Sequence, residues 1–281
     1  MSTPKIDSHQ HFWHYDPVEF AWLNEDMKSL RRDFLPPELK NHLEAYGMDG
    51  TVAVQARQSE EETNFLLGLA EQYPEVVRGV VGWLDLRADD IEEKLALYSK
   101  RDKLVGVRHI VQDEPDDEFL LRENFLRGIS LLKKYNLTYD ILIYPKHLKV
   151  AKEFVAKFPD QPFVIDHIAK PFIKDHIIGE WEQGIRDLAA FPNVFVKVSG
   201  MVTEGNWANW KEEDFTPYLD IIFDAFGVDR VMVGSDWPMM TLCGEYGQVV
   251  DIVKKYISKF SEADQAKIMG GNAIRFYKLK V

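Results

Sequence analysis

Two histidines stand two residues apart near the start of the chain, in the stretch Lys5-Ile6-Asp7-Ser8-His9-Gln10-His11-Phe12-Trp13-His14. On a β-strand side chains alternate with a period of two, so His9 and His11 project to one side. Far along the chain, Val233-Gly234-Ser235-Asp236-Trp237-Pro238 closes an apolar run with a carboxylate. A His-x-His pair with a neighbouring aspartate can hold a divalent metal or activate a water. Each group also has a plain structural use, because an aspartate after a strand can cap the next helix. Chemistry requires a fold that brings them together.

Eight segments read as buried strands: residues 5–9, 51–56, 78–84, 104–110, 137–143, 162–167, 194–199 and 230–235. Several are continuously apolar rather than alternating, as strands covered on both faces are. Helix-period stretches lie between them. Ser59-Glu60-Glu61-Glu62 fits a capping box ahead of Phe65, Leu66, Leu69 and Ala70. Pro145 precedes a stripe of Ala151, Phe154, Val155 and Phe158, another stripe runs from Val249 to Phe260, and Ser261 opens a final helix.

This alternation predicts an α/β fold, a (β/α)8 TIM barrel with long βα loops, in which active sites sit at the C-terminal ends of the strands. An open doubly wound sheet would want a Gly-x-Gly-x-x-Gly turn after strand one, and none is there. In a closed barrel strand eight pairs with strand one, which sets Asp236 beside His9 and His11. His109 and His167 end strands four and six, so four histidines converge on one mouth; His42, His147 and His176 fall in helices or their flanks. The loops 12–36, 111–122 and 200–211 are long and, with the turn after strand eight, carry Trp13, Trp22, Trp207, Trp210 and Trp237, walls suited to the C–H faces of a sugar.

The 281 residues are 46% hydrophobic and lack any Gly-, Ser- or Pro-rich linker, so residues 1–281 read as one domain. A formal net charge of −12 argues against nucleic-acid or anionic-membrane partners. Cys243 is the sole cysteine, which excludes an internal disulfide and a cysteine-cluster zinc site. No stretch approaches the roughly 20 apolar residues of a membrane span. The expected location is cytoplasmic, and the sequence is compatible with an oligomer.

The motifs Ile6-Asp7-Ser8-His9-Gln10-His11-Phe12-Trp13, Gly106-Val107-Arg108-His109, Asp166-His167-Ile168-Ala169-Lys170-Pro171, Lys197-Val198-Ser199-Gly200, Ser235-Asp236-Trp237-Pro238 and Gly271-Asn272-Ala273-Ile274-Arg275-Phe276-Tyr277 resemble, in order, those of the amidohydrolase-related TIM barrels. The resemblance is to the sugar-lactonase branch of L-fuconolactonases and L-rhamnonolactonases. It implies a hydrolase that opens a small-molecule sugar lactone to its acid, with His9, His11, His167 and Asp236 as the catalytic centre. The same four residues are the implied metal ligands, for one divalent ion, zinc first, or for no metal at all. Strand five ends in Ile143-Tyr144 and offers no second histidine set, which departs from the two-metal members of the superfamily.

In the implied mechanism Asp236 takes the proton of the attacking water and returns it to the leaving oxygen, while the three histidines, directly or through a metal, stabilise the oxyanion. Trp13, Arg57, His109, Lys170 and Trp237 are the expected substrate-binding residues. Decarboxylation or another C–C cleavage on the same barrel is the alternative, as is hydrolysis of a 2-pyrone dicarboxylate. The latter would want several cations, whereas the acidic run 113–118 and the aromatic loops favour a neutral sugar lactone. A non-catalytic carbohydrate-binding barrel would not need Asp236 and the histidines together at the strand ends.

Overall fold

The computed structural model describes residues 3–281. The apolar runs form eight strands: β1 Ile6–Gln10, β2 Gly50–Val54, β3 Val77–Gly82, β4 Leu104–Ile110, β5 Thr138–Leu142, β6 Phe163–Ile165, β7 Val194–Val198 and β8 Val231–Val233. They lie in sequential order, each parallel to the next. The seam between β8 and β1 closes beyond the end of β8. His11 N–H donates to Trp237 O at 2.7 Å, and Asp236 N–H donates to His9 O at 2.8 Å. Asp7 stitches the same seam from outside, accepting from Ser235 N–H at 2.9 Å and from the Tyr246 hydroxyl at 3.0 Å.

All eight expected strands are present, but β6 and β8 are shorter than their apolar runs. Both stop where the backbone turns left-handed to present a functional side chain, at His167 (φ 52°) and Asp236 (φ 61°). A sequence pattern reads hydrophobicity, and it continues past the last ladder bond.

The helices are α1 Pro36–Tyr46, α2 Glu60–Gln72, α3 Ile91–Tyr98, α4 Glu123–Leu132, α5 Leu148–Ala156, α6 Gly179–Ala189, the short α7 Met201–Glu204, α8 Glu212–Phe226, α9 Tyr246–Ile257, α10 Glu262–Ala266 and α11 Asn272–Tyr277. Ser59 caps α2, accepting from Glu62 N–H at 3.1 Å. The reciprocal half of the expected capping box is missing, because the Glu62 carboxylate accepts from Ala56 N–H at 2.7 Å instead. The single final helix expected from Ser261 is interrupted by a π-turn over Lys267–Gly271. The interruption sits where the chain passes β1: a Cβ on Gly270 would stand 2.0 Å from Pro4 O.

Ile6, Val52, Val54, Val81, Val105, Val164 and Met232 belong to a barrel-floor cluster that Phe276, Tyr277 and Leu279 plug from below. The larger core lies between the strands and the helices. With the floor sealed, only the C-terminal mouth is left for chemistry.

Candidate active site

His11, at the end of β1, is 5% exposed and points into the mouth. Its Nδ1 lies 2.7 Å from Val54 O, and a carbonyl only accepts, so Nδ1 carries the hydrogen and Nε2 is left with a lone pair. That lone pair faces Asp236 Oδ1 at 3.4 Å. Two acceptors opposed at this distance call for a cation or a shared proton between them.

His167 reaches the same space through an unusual backbone. His167, Ile168, Ala169 and Lys170 all have positive φ, between 48° and 58°, and Lys170 N–H bonds back to His167 O at 2.8 Å. This is one turn of left-handed helix, in which residues three apart share a face. His167 and Lys170 therefore both line the cavity while Ile168 and Ala169 sink into the core. For non-glycine residues each left-handed position costs about 1–2 kcal/mol, so neighbours must hold it. The Trp181 indole donates to Ile168 O at 2.7 Å, and Ser199 Oγ contacts His167 Nδ1 at 2.9 Å. Gly200 (φ 60°) leaves room for the ring, since a Cβ there would lie 2.5 Å from His167 Nδ1. His167 Nε2 then stands 3.9 Å from Asp236 Oδ1.

Burial pushes the His167 imidazole down to about 4, so it is neutral at pH 7. Burial pushes Asp236 the other way, but the attraction between its carboxylate and a proton taken up on the His167 or His11 ring outweighs burial and holds the carboxyl below its ordinary value. At neutral pH the centre therefore sets the Asp236 carboxylate beside a neutral His167 imidazole.

His9 is placed differently from its partner two residues on. Its ring lies 5.0 Å from that of His11 and 4.4 Å from that of His167, but it faces down the barrel axis. His9 Nδ1 is 3.1 Å from Lys197 Nζ and 3.3 Å from Asp166 Oδ1, and its Nε2 is 3.3 Å from Arg108 Nη1. Lys197, wholly buried, also donates to Asp140 Oδ2 at 2.6 Å and lies 3.0 Å from Asp166 Oδ1. Arg108 donates to Asp166 Oδ2 at 2.9 Å, and the Tyr277 hydroxyl to Asp140 Oδ2 at 2.7 Å. Two cations and two carboxylates thus form a closed network beneath the mouth, with His9 as its upper member. Burial, with Lys197 adding to it, holds His9 well below the usual histidine range.

Two donor groups that share His9 are each compact enough to hold a divalent ion. His9, His11 and Asp236 offer atoms within 4.8 Å of one another, as do His9, Asp166 and His167. The opposed lone pair and carboxylate of His11 and Asp236 are the direct sign, and their Nδ1-anchored tautomer is the arrangement expected of a metal-ligating histidine. His9 is the weaker donor, because a guanidinium already faces its Nε2.

The cavity above the centre has a volume of about 360 Å3. Trp13, Trp22, Arg108, Tyr144, Lys170 and Trp207 line it, together with Gln112, Asp113 and Glu204. Three expected binding residues lie elsewhere. His109 stacks on Phe119 with ring centroids 4.5 Å apart, accepts from Trp83 Nε1–H and contacts Glu114 Oε1 at 2.6 Å. Strand parity sends it outward and its neighbour Arg108 inward. Trp237 is 1% exposed and packs edge-on against Phe34 and Phe12 behind the cavity wall. Arg57 pairs with Glu19 and with Glu62 at 3.4 Å, and it lines a separate cleft of about 250 Å3.

Sequence reasoning passed over Arg108, Asp140, Asp166 and Lys197. A signal was there: ionised residues in the middle of apolar strands are expensive to bury unless paired, so such residues mark a buried network. Glu204 carried no such signal, because α7 is too short to have a readable face.

The chain matches the amidohydrolase family over residues 6–279. It is 37% identical to an L-fucono-1,5-lactonase of Burkholderia multivorans, with 99% of this chain and 97% of that protein covered. It is 34% identical to an L-fucono-1,5-lactonase of Burkholderia ambifaria, covering 99% and 96%. A solved amidohydrolase structure from Burkholderia multivorans with bound zinc superimposes with a TM-score of 0.95 at 37% identity, covering 99% of this chain and 100% of that one.

Proposed function

The chain belongs to the amidohydrolase family, and from that premise we propose that it is a lactonase that opens a sugar lactone of the L-fucono-1,5-lactone kind to its hydroxy acid. The observation that carries this reading is the placement of Asp236, an ionised carboxylate at the mouth with His11 Nε2 at 3.4 Å and His167 Nε2 at 3.9 Å. A water donating one hydrogen to Asp236 finds an acceptor for its second in the bare Nε2 of His11. Asp236 takes the proton as the water attacks the carbonyl, and returns it to the ring oxygen as the C–O bond breaks. His11 cannot donate to the developing oxyanion, because its hydrogen is committed to Val54 O. That task falls to the cavity cations, Lys170 and Arg108, which replace the earlier expectation of three histidines acting alike.

When bound, a divalent ion supplies Lewis acidity that can polarise a carbonyl or bring a water's pKa to about 7. His9, His11 and Asp236, whose donor atoms lie within 4.8 Å of one another, would hold it, with His167 Nε2 3.9 Å from Asp236 Oδ1; nitrogen donors with one carboxylate suit zinc. Lys170 and the aromatic walls of Trp13, Trp22 and Trp207 bind the sugar ring. Residues 1–281 act as one cytoplasmic domain in L-fucose or L-rhamnose catabolism, after a dehydrogenase that makes the lactone. Among the described residues no helix is long and apolar enough to cross a membrane.

The test is a pH-stat assay on a panel of aldonolactones. Hydrolysis releases one proton per turnover and no carbon dioxide, with L-fucono- or L-rhamnono-lactone opened fastest. Carbon dioxide release from an aromatic acid, with no lactone opened, would favour the decarboxylase instead.

A further inference from the structure

Glu204 closes α7 and faces the cavity beside Thr203 and Trp207, with its side chain 23% exposed. Its closest cation is Lys170 Nζ at 3.7 Å, longer than a hydrogen bond, so the carboxylate keeps acceptor capacity for a ligand. A carboxylate partly shielded from water is stabilised by donors that replace its lost solvation. Burial accordingly raises its carboxyl above the ordinary value, against the opposing pull of Lys170.

The charges around it are balanced on the side of exclusion. Lys170 already lies 3.7 Å from Glu204 and Arg108 2.9 Å from Asp166, so each cation is set against a protein carboxylate, and beyond the transient oxyanion the lining holds no cation in excess for a permanent substrate carboxylate. Asp113 and Asp236 add two further acidic groups to the lining. A neutral polyol supplies hydroxyl donors to Glu204, whereas a carboxylated ring brings a like charge. Carboxylate oxygens accept two neighbouring hydroxyls well, and such charge-assisted bonds are stronger than neutral ones.

We propose, resting on the lactonase reading, that Glu204 is a specificity-determining residue that accepts hydrogen bonds from the ring hydroxyls of a neutral aldonolactone and turns away lactones bearing a carboxylate. The left-handed turn that aims Lys170 fixes the cation beside it.

The test uses E204Q, which keeps the shape and one acceptor oxygen. Binding is measured calorimetrically with aldonolactams, which keep the ring but resist hydrolysis: the fully hydroxylated one, its singly deoxygenated relatives, and one carrying a carboxylate. The hydroxylated lactam should bind E204Q about tenfold or more weakly, the range for a bond to a charged group. That loss should vanish for at least one deoxygenated lactam, and the carboxylated lactam should bind the variant more tightly than the wild type. Equal weakening of every lactam, no change in any, or no lactam binding to the wild-type protein would overturn the proposal. Lactams that bind as expected while no lactone is opened would leave Glu204 standing and remove the hydrolase reading. Lactones opened with unchanged preference in E204Q would do the reverse.

Discussion

Single side chains in this protein are assigned by what their atoms already hold. His11 and His9 look equivalent in the sequence, yet one offers a bare nitrogen to the mouth and the other is enclosed by Lys197, Asp166 and Arg108. Spacing legibly places both rings at one strand end, but it cannot say which lone pairs are free, because those partners come from other strands. Glu62 shows the same dependence. It reads as the third residue of a capping box, and it is instead a buried carboxyl that burial pushes up to about 7, with Ala56 N–H and Arg57 opposing. The folded protein thus binds this proton more tightly than the unfolded chain does. The stability Glu62 contributes is complete below its ordinary value of 4.5 and is lost as pH rises through about 7. A rise of that size is worth about 3 kcal/mol. Denaturant midpoints for wild type and E62Q should converge in acid, with E62Q the more stable by about that amount above pH 7. Parallel curves would show that Glu62 is not the titrating group.

At the scale of elements, the left-handed turn after β6 does the positioning that a regular strand or helix could not. Its sequence, His167-Ile168-Ala169-Lys170, contains no glycine and carries no turn signal, so the strand end placed His167 at the mouth while the turn itself went unread. The glycine that makes room for it is Gly200, on the following strand's loop. In G200A the new methyl must displace His167 or distort a backbone at φ 60°, so kcat should fall by tenfold or more while KM moves little. The direct cost of the left-handed alanine is about 1–2 kcal/mol of stability, read as a lowered unfolding midpoint. Unchanged kcat would mean that the ring tolerates displacement. The existence of β4 was legible, but which of Arg108 and His109 turns inward was not. The strand signal was the apolar run, and which residue of it faces inward depended on a register set by β5, where Arg108 lies opposite Asp140.

The whole molecule adds what no element has alone, the meeting of β1, β6 and β8. The eight apolar runs made the barrel legible, and barrel closure alone placed Asp236 beside the first strand's histidines. The charged strand residues signalled an interior network, but the sealed floor and its link to that network were not legible, since Tyr277 reaches Asp140 from the C-terminal helix across the bottom of the barrel. Because the proposed metal donors come from distant strands, an ion bound there would stabilise only the closed barrel. Zinc added to chelator-treated protein should therefore raise the unfolding midpoint and be retained at one ion per chain. The rise should disappear in H11A. A midpoint indifferent to zinc would leave the imidazoles and Asp236 working without a metal.

The role proposed for Asp236 is that of the base that activates water. It is tested most directly by proton release from L-fucono-1,5-lactone with wild-type protein and D236N side by side, after both have been shown to fold. Loss of a positioned general base predicts a kcat lower by about 10²–10⁴-fold in D236N, with KM much less affected. Turnover by D236N at close to the wild-type rate would contradict it.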